Sequence, residues 1–328
     1  MKETLYRSRA LFIGSMIGMA LCVPALAQDM KAPTGPIEFT VGSGAGGSPD
    51  VIMRTLGKIL NEEKIVENPV VVQNRTGGGH SNAYNYVLGK PADENTILML
   101  ASPVFTTPIV QGTPSVIDQV TPLISIAQSD LVLLVPKDSP HKTLADFVAA
   151  AKENPGRVRI AGGASGGNDH LVTALLEQKA GIKLTYIPHE SGGAARATFL
   201  GGNVEGHFGT SSEALSVISS GDARGLAILS EERRPEDVIK DVPTAKEQGV
   251  DVVYGQFWGI GGPAKMDPAL AAWWADKFKK AVESQTWQDY LKTSMLSTNP
   301  RVLDDAGTYF KEEQARFREL LSAVGMAK

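Results

Sequence analysis

The chain has 328 residues, 42% of them hydrophobic and 21% charged, with a formal net charge of −4. The acidic balance argues against nucleic acid as a partner, and the single cysteine, Cys22, excludes a disulfide framework and a cysteine-built metal site. A chain of this length is expected to form two domains rather than one.

The first residues read as an export signal. Lys2, Arg7 and Arg9 precede an apolar segment from Ala10 to Val23, and Ala25-Leu26-Ala27 forms an A-x-A cleavage site. The apolar run is short of the roughly 20 residues that a membrane span needs. Met19, Ala20 and Leu21 make a poor lipobox before Cys22. Removal of residues 1–27 takes away three positive charges and Glu3, so the net charge goes from −4 to −6, and no cysteine remains. The expected location is the periplasm, with cleavage near Ala27. Nicotinamide cofactors are not supplied there, and no cofactor is expected.

Ile37 to Val41 is an apolar run, and Val51, Ile52, Leu56, Ile59 and Leu60 recur at helical spacing. Between them, Val41 to Arg54 (VGSGAGGSPDVIMR) reads as strand, glycine loop and helix. Ser48 suits the N-cap and Pro49 the first turn, which would leave the amides of Gly46 to Asp50 free for a carboxylate or phosphate. A bare tight turn is the alternative. Gly42, Gly44 and Gly47 also satisfy the dinucleotide spacing G-x-G-x-x-G. That fingerprint wants an acid at the end of the next strand, where this chain has Gln73, Asn74 and Arg75.

Further on, strands are expected at Val70–Val72, Thr96–Leu100, Leu131–Val135, Val158–Ala161 and Leu184–Ile187. Helices are expected at Ser81–Leu88, Leu144–Ala151 and His170–Lys179. This is the rhythm of parallel sheets with helices on both faces. Most of these strands run into a loop of small residues: Asn74 to Asn82, Ala101 to Pro103, Gly162 to His170 and Pro188 to Gly193. In open parallel sheets ligands sit at the carboxyl ends of strands, so the loops predict a pocket lined with amide donors for an anion.

Gly163-Ala164-Ser165-Gly166-Gly167 matches G-x-S-x-G after a strand and before a helix, the setting of a hydrolase nucleophile elbow. The triad order on that fold places a histidine late, and the last third of this chain has none. A secreted serine hydrolase using Ser165 is therefore the alternative rather than the favoured reading. His170, His189 and His207 fall in no metal-binding spacing, so no metal site is expected. Asp169 and Glu190 come with no partner that marks an acid and base pair.

Several stretches together carry a family resemblance: Gly46 to Asp50, Val70 to Gly79, Ser191 to Gly193, Leu200 to Glu205, Ala223 to Ala227 and Asp241 to Gly249 (DVPTAKEQG). They resemble the Bug/TctC family, extracytoplasmic solute-binding proteins of tripartite tricarboxylate transporters. Pro49 and Glu205 depart from the usual family residues. Asn168-Asp169-His170, Ser191-Gly192-Gly193 and Ser212-Glu213 are more similar to the tricarboxylate-binding branch.

The resemblance implies an α/β, two-domain, periplasmic-binding-protein-like (type II) fold with a ligand cleft between the domains. Domain 1 would comprise residues 28–131 and 251–328, and domain 2 residues 132–250, with crossings near Ser129 to Pro136 and Val250 to Gly259. It implies no enzyme, a monomer, a small carboxylate ligand captured by domain closure, and the membrane subunits of the transporter as partners. The expected ligand contacts are Gly46, Gly47, Ser48, Asp50, Gly78, Gly79, His80, Ser81, Asn82, Ser102 and Pro103 from one side. From the other they are Ser165, Asn168, His170, Ser191, Gly192, Gly193, Ser211 and Ser212. The tail, Pro268 to Glu283 and Leu303 to Val324, would pack on the first domain through Trp273, Trp274, Phe278, Phe310, Phe317 and Leu321. Arg75 reads equally as a carboxylate partner or a structural bridge, Trp258 as core or ligand contact, and Arg196 as a rim residue.

Overall fold

The computed structural model describes residues 32–163, 165–235 and 237–328. The expected signal peptide and Cys22 lie outside the described residues. The first crossover units are β1 (Ile37–Val41), α1 (Ser48–Glu62), β2 (Val70–Asn74), α2 (Ser81–Leu88), β3 (Thr96–Ala101) and α3 (Pro103–Gln111). Strand β1 pairs in parallel with β2 and β3, as short β–α crossovers require. β3 is buried along its length because its two faces enter different cores. Leu98 and Leu100 point into one, and Ile97, Met99 and Ala101 into the other.

The apolar run expected over Leu131–Val135 is only the end of β4 (Thr121–Pro136), a strand of 16 residues. Gln128, Ser129 and Asp130 interrupt its apolar character without ending the strand, which is why the sequence pattern shows only part of it. After it come α4 (Leu144–Glu153), β5 (Arg159–Gly162), α5 (Asn168–Ala180), β6 (Thr185–Pro188), α6 (Gly192–Leu200) and β7 (Gly206–Thr210). Then follow α7 (Ser211–Ser219), β8 (Ala223–Ile228) and β9 (Gly255–Gly262). Here β5 pairs in parallel with β6 and β7.

The strand order is β2-β1-β3-β9-β4-β7-β5-β6, with β8 also on β4. The sheet is thus mixed, not wholly parallel as the alternating pattern suggests. Two parallel groups are joined through β9 and β4, which pair antiparallel to each other and to their neighbours. From Thr121 to Asp130, β4 pairs with β9; from Leu131 onward its partners are β7 and β8.

The tail forms α8 (Pro268–Glu283), α9 (Gln285–Thr293) and α10 (Leu303–Ala323). The aromatic residues expected to be core are buried, Trp274, Phe278, Phe310 and Phe317 completely. α8 covers the first strand group together with α1. α10 does more than pack there: Gln178 of α5 donates to the Ala323 carbonyl at 2.7 Å, and Phe317 and Leu321 share a core with Val172 and Leu175. The last helix therefore touches both strand groups, because its apolar face is longer than the first group can cover.

Trp274 stacks on Phe278 at 5.0 Å and is 0% exposed, while its indole N–H has no partner in the chain. Trp274→Ala is expected to cost about 3–5 kcal/mol in urea unfolding. Trp274→Phe should cost roughly less than half of that, since no hydrogen bond is lost.

Candidate ligand cleft

Antiparallel pairing fixes where the loops meet. The carboxyl end of β3, Ala101, lies opposite Trp258, and Trp258 lies opposite Ala127 of β4. The carboxyl end of β7, Thr210, lies opposite Leu131, and that of β8, Ile228, opposite Val132. Strands of both groups therefore end on one stretch of β4, with about 13 Å between Ala127 and Leu131 at strand rise. The loops that follow these strands converge there.

The loop after β1 is organised by Asp50, which is 2% exposed. Its carboxylate accepts from the Gly46 amide at 2.9 Å, Asn74 Nδ2 at 2.8 Å and Arg54 Nε at 3.0 Å. Burial pushes this carboxyl up, but the hydrogen bonds from Arg54, Gly46 and Asn74 outweigh it and hold the group below the usual carboxylate range. Two expectations change. Asp50 is occupied within the chain rather than open to a ligand. Ser48 is the first helical residue, with Gly47 as the N-cap and no side-chain cap, while Asp50 of the first turn reaches back to the Gly46 amide. The Gly47 amide bonds to the Gly44 carbonyl at 3.2 Å, and Pro49 has no N–H, so Ser48 and Asp50 retain amides without an acceptor among the described residues.

The loop after β2 turns tightly through Gly77, Gly78 and Gly79, with φ of 111°, 59° and 64°, and His80 follows at 72°. The conformation suits glycine and strains histidine. His80 keeps it because its ring lies on Gly42: a Cβ on Gly42 would sit 2.5 Å from the His80 Cβ. Burial pushes the His80 imidazole down to about 4, so it is neutral near pH 7. It binds the first two loops together rather than presenting a charge. Gly79 accepts from Thr107 Oγ1 at 2.8 Å, Gln111 Nε2 lies 3.4 Å from the Gly78 carbonyl, and Asn82 Nδ2 donates to the Thr76 carbonyl at 2.7 Å. Gly78 is exposed and Ser81, which opens α2, is half-buried. Ser102 is a correction: its buried Oγ accepts from the Phe257 amide at 2.9 Å and locks α3 to β9. Pro103 beside it is half-buried.

From the second group, the loop after β5 reaches the same place. Gly166 packs on Val110, one turn along α3 from the Thr107 that holds Gly79. Its side chains are engaged within the fold. The Gly163 amide donates to Asp169 Oδ2 at 2.8 Å, and the Tyr186 hydroxyl donates to the Gly163 carbonyl at 2.7 Å. His170 Nδ1 accepts from the Gly166 amide at 3.0 Å, and its ring stacks on Tyr186 at 4.5 Å. Asn168 Oδ1 accepts from the Tyr254 hydroxyl at 2.8 Å. The side chains of Asn168 and His170 thus shape the loop rather than face out of it. Ser165 is exposed, and no hydrogen bond joins it to a histidine among the described residues. With His170 Nδ1 taken by an amide, that ring nitrogen is not available to Ser165 as a base.

Ser191 caps α6, its Oγ accepting from the Ala194 amide at 3.2 Å, and Gly192 and Gly193 are exposed. Their amides have no acceptor among the described residues. His189 joins this loop to the previous one through the Gly162 carbonyl at 2.9 Å. Ser211 is fully buried, its Oγ donating to the Asp130 carbonyl at 3.2 Å, so it fastens α7 to β4 and is not available to a ligand. Ser212, next to it, is half-buried.

Arg75 is the structural bridge: it bonds to Glu38 at 3.0 Å and lies 3.4 Å from the Tyr86 ring centre. Trp258 is 1% exposed and belongs to the core. Arg196 pairs with Glu213 at 3.5 Å on the rim. Sequence reasoning missed Asp130 and Arg234, which pair at 3.4 Å where β4 changes partners. A lone acid inside the apolar run Leu123–Val135 is the signal that marks Asp130. Arg234 comes from an irregular loop and leaves no such signal.

This arrangement, helix-opening loops of two strand groups meeting across shared antiparallel strands, defines a periplasmic-binding-protein fold. Residues 52–326 match the family described as tripartite tricarboxylate transporter family receptor, TctC, and the chain belongs to that family. BugT from Bordetella pertussis is 29% identical over 282 residues, covering 83% of this chain and 84% of BugT. Two solved structures show the same fold. One is a protein of R. palustris with adipate, TM-score 0.82 at 22% identity, covering 90% of this chain and 99% of that one. The other is MatC from Rhodopseudomonas palustris with bound malate, TM-score 0.78 at 19% identity, covering 88% and 99%. Among the described residues there is no cluster of metal-binding side chains and no helix long and apolar enough to cross a membrane.

His80 sets a pH dependence. Its folded value of about 4 lies below the unfolded 6.5, so the unfolded chain binds the proton first. Stability is complete above pH 6.5 and falls as pH drops towards 4, by at most about 3 kcal/mol for this group. Urea midpoints between pH 7 and 4.5 test this, and His80→Asn, which tolerates the positive φ, should flatten the slope.

Proposed function

We propose that the chain is a periplasmic receptor that captures a small di- or tricarboxylate between the two strand groups and delivers it to the membrane subunits of a tripartite tricarboxylate transporter. The observation that carries this reading is the convergence of the two strand groups: β3, β7 and β8 end on one stretch of β4, and the loops opening α2 and α5 meet on neighbouring turns of α3, at Thr107 and Val110. Ser48 and Asp50 on one side, and Gly192 and Gly193 on the other, hold amides without an acceptor among the described residues. The donors come from both groups and carry no fixed cation, so they suit a ligand with a carboxylate at each end. The adipate and malate bound by the two R. palustris proteins support this class.

In this proposal residues 28–131 and 251–328 form one domain and residues 132–250 the other. The chain bends where β4 exchanges β9 for β7 and β8, and again ahead of β9. Ligand draws the loops together and leaves unchanged, with no cofactor, and the receptor acts as a monomer. The elbow at Ser165 is read as a loop of the cleft, so Ser165→Ala should at most weaken ligand binding, and no product should form with either chain.

Calorimetry with adipate and hexanoate tests the two-ended site. Each charge-assisted bond is worth roughly 1.5–3 kcal/mol, so the dicarboxylate should bind at least about tenfold more tightly. Equal affinities would sink the reading. Small-angle scattering should show a slightly smaller particle with adipate; superimposable profiles would remove domain closure from the proposal.

A further inference from the structure

Two of the stretches that carry the family resemblance, Ala223 to Ala227 and Asp241 to Gly249, take no part in the cleft. They meet at the amino end of β8 and, with the turn that follows β4, wall a recess of about 520 Å³. The cleft lies at the other end of the same strand: Ala223 pairs with Pro136 and Ile228 with Val132, so about 17 Å of strand separates the two places. We infer that this recess binds a compact polyanion, inorganic phosphate or a small polycarboxylate, at a site that needs nothing of the cleft.

Much of what these stretches do is structural. Gln248 accepts from the Leu144 amide at 3.1 Å and donates to the Leu226 carbonyl at 2.9 Å, which ties α4 to β8. Val242 packs against Gly225, where a Cβ would meet it at 2.9 Å. Three side chains on the wall have no such use for their charge: Lys137 and Lys142 of the turn, both exposed, and the half-buried Arg224 of β8. Arg224 donates to the carbonyls of His141 at 3.3 Å and Lys137 at 3.2 Å, and Lys142 Nζ donates to that of Ser139 at 2.9 Å. The turn thus gathers two cations on its own carbonyls. The third, Lys137 Nζ, lies 3.8 Å from where a Cβ on Gly221 would be. A carbonyl accepts a hydrogen bond but brings no charge, and none of the three cations forms an ion pair among the described residues.

The acids around them do not supply that charge. Asp146 takes the amides of Lys142 and Thr143, both at 2.9 Å, and Asp222 takes the Ser220 hydroxyl at 2.6 Å. Asp241 is the acid on the recess wall, one against three cations. Like charges are therefore held side by side on a chain that is acidic as a whole, and a bound dianion relieves their repulsion. Two of the five guanidinium N–H groups of Arg224 are spent on carbonyls, which leaves three for a carboxylate or phosphate. The amides of Thr143 and Leu144 at the start of α4 are already bonded to Asp146 and Gln248, so side-chain cations make this site, unlike the amide-lined cleft. The volume suits a small molecule.

The test is a titration of the full mature chain, isotope-labelled, with inorganic phosphate and separately with citrate, followed through its backbone amide resonances. Ionic strength is held constant with chloride. The signals of Gly221, Arg224 and Gly225 should move and saturate. Lys137→Gln, whose side chain makes no hydrogen bond among the described residues, should weaken the affinity severalfold, and Arg224→Gln at least about tenfold. Should Arg224→Gln loosen the turn, Lys137→Gln and Lys142→Gln decide alone. Saturation by either anion supports the site, and the tighter one gives its ligand class. Drift without saturation, or equal movement with chloride, would mean an adventitious ion only and overturn the site, as would unchanged affinity in the variants that fold. Shifts confined to the loops that open α1 and α6 would overturn the recess while supporting the cleft.

Discussion

The structure depends on one strand being shared. β4 runs unbroken for 16 residues and gives its first part to β9 and its last part to β7 and β8. Antiparallel pairing then dictates everything at the centre of the molecule. The first group joins β4 through β9 and so runs along it, whereas β7 pairs antiparallel with β4 directly and runs against it, so the carboxyl ends of the two groups point at the same stretch of β4. The cleft needs no special loop to create it; it is what remains between two crossover units facing each other.

Within that frame, two aspartates do most of the shaping. Asp50 and Asp169 each take a loop amide, which fixes the glycine loop while removing one donor from the ligand's reach. Their surroundings differ. Asp50 pairs with Arg54 and Asn74, whereas among the described residues no lysine or arginine forms an ion pair with Asp169. Neutral contacts complete the site: His80 on Gly42, Gly166 on Val110, His170 on Tyr186. On the proposed reading, a cleft so built would attract anions through backbone amides at helix starts rather than through exposed cations.

The division between sequence and tertiary structure can be drawn from particular residues. Alternation of apolar strands and helical faces located β1, α1, α2 and β3 to within a residue or two, because each is buried in a regular period. It also marked Trp274, Phe278, Phe310 and Phe317 as core. The glycine and serine loops after these strands were visible too, since positive φ and helix starts demand small residues. Family membership followed from short stretches such as Asp241 to Gly249.

What local pattern could not carry was partner choice. The full length of β4 was hidden because strand pairing tolerates Gln128, Ser129 and Asp130 where an apolar period does not. Ser102 and Ser211 look like ligand contacts in sequence, yet their hydroxyls close bonds to the Phe257 amide and the Asp130 carbonyl from far along the chain. Arg75 found Glu38 and Tyr86, and Arg234 found Asp130, by the same long-range placement. The sequence by itself determined which segments become strands, loops and helices, because that depends on near neighbours. Only the tertiary structure decided which loop side chains remain open, because a polar group's partner is set by which strands lie side by side.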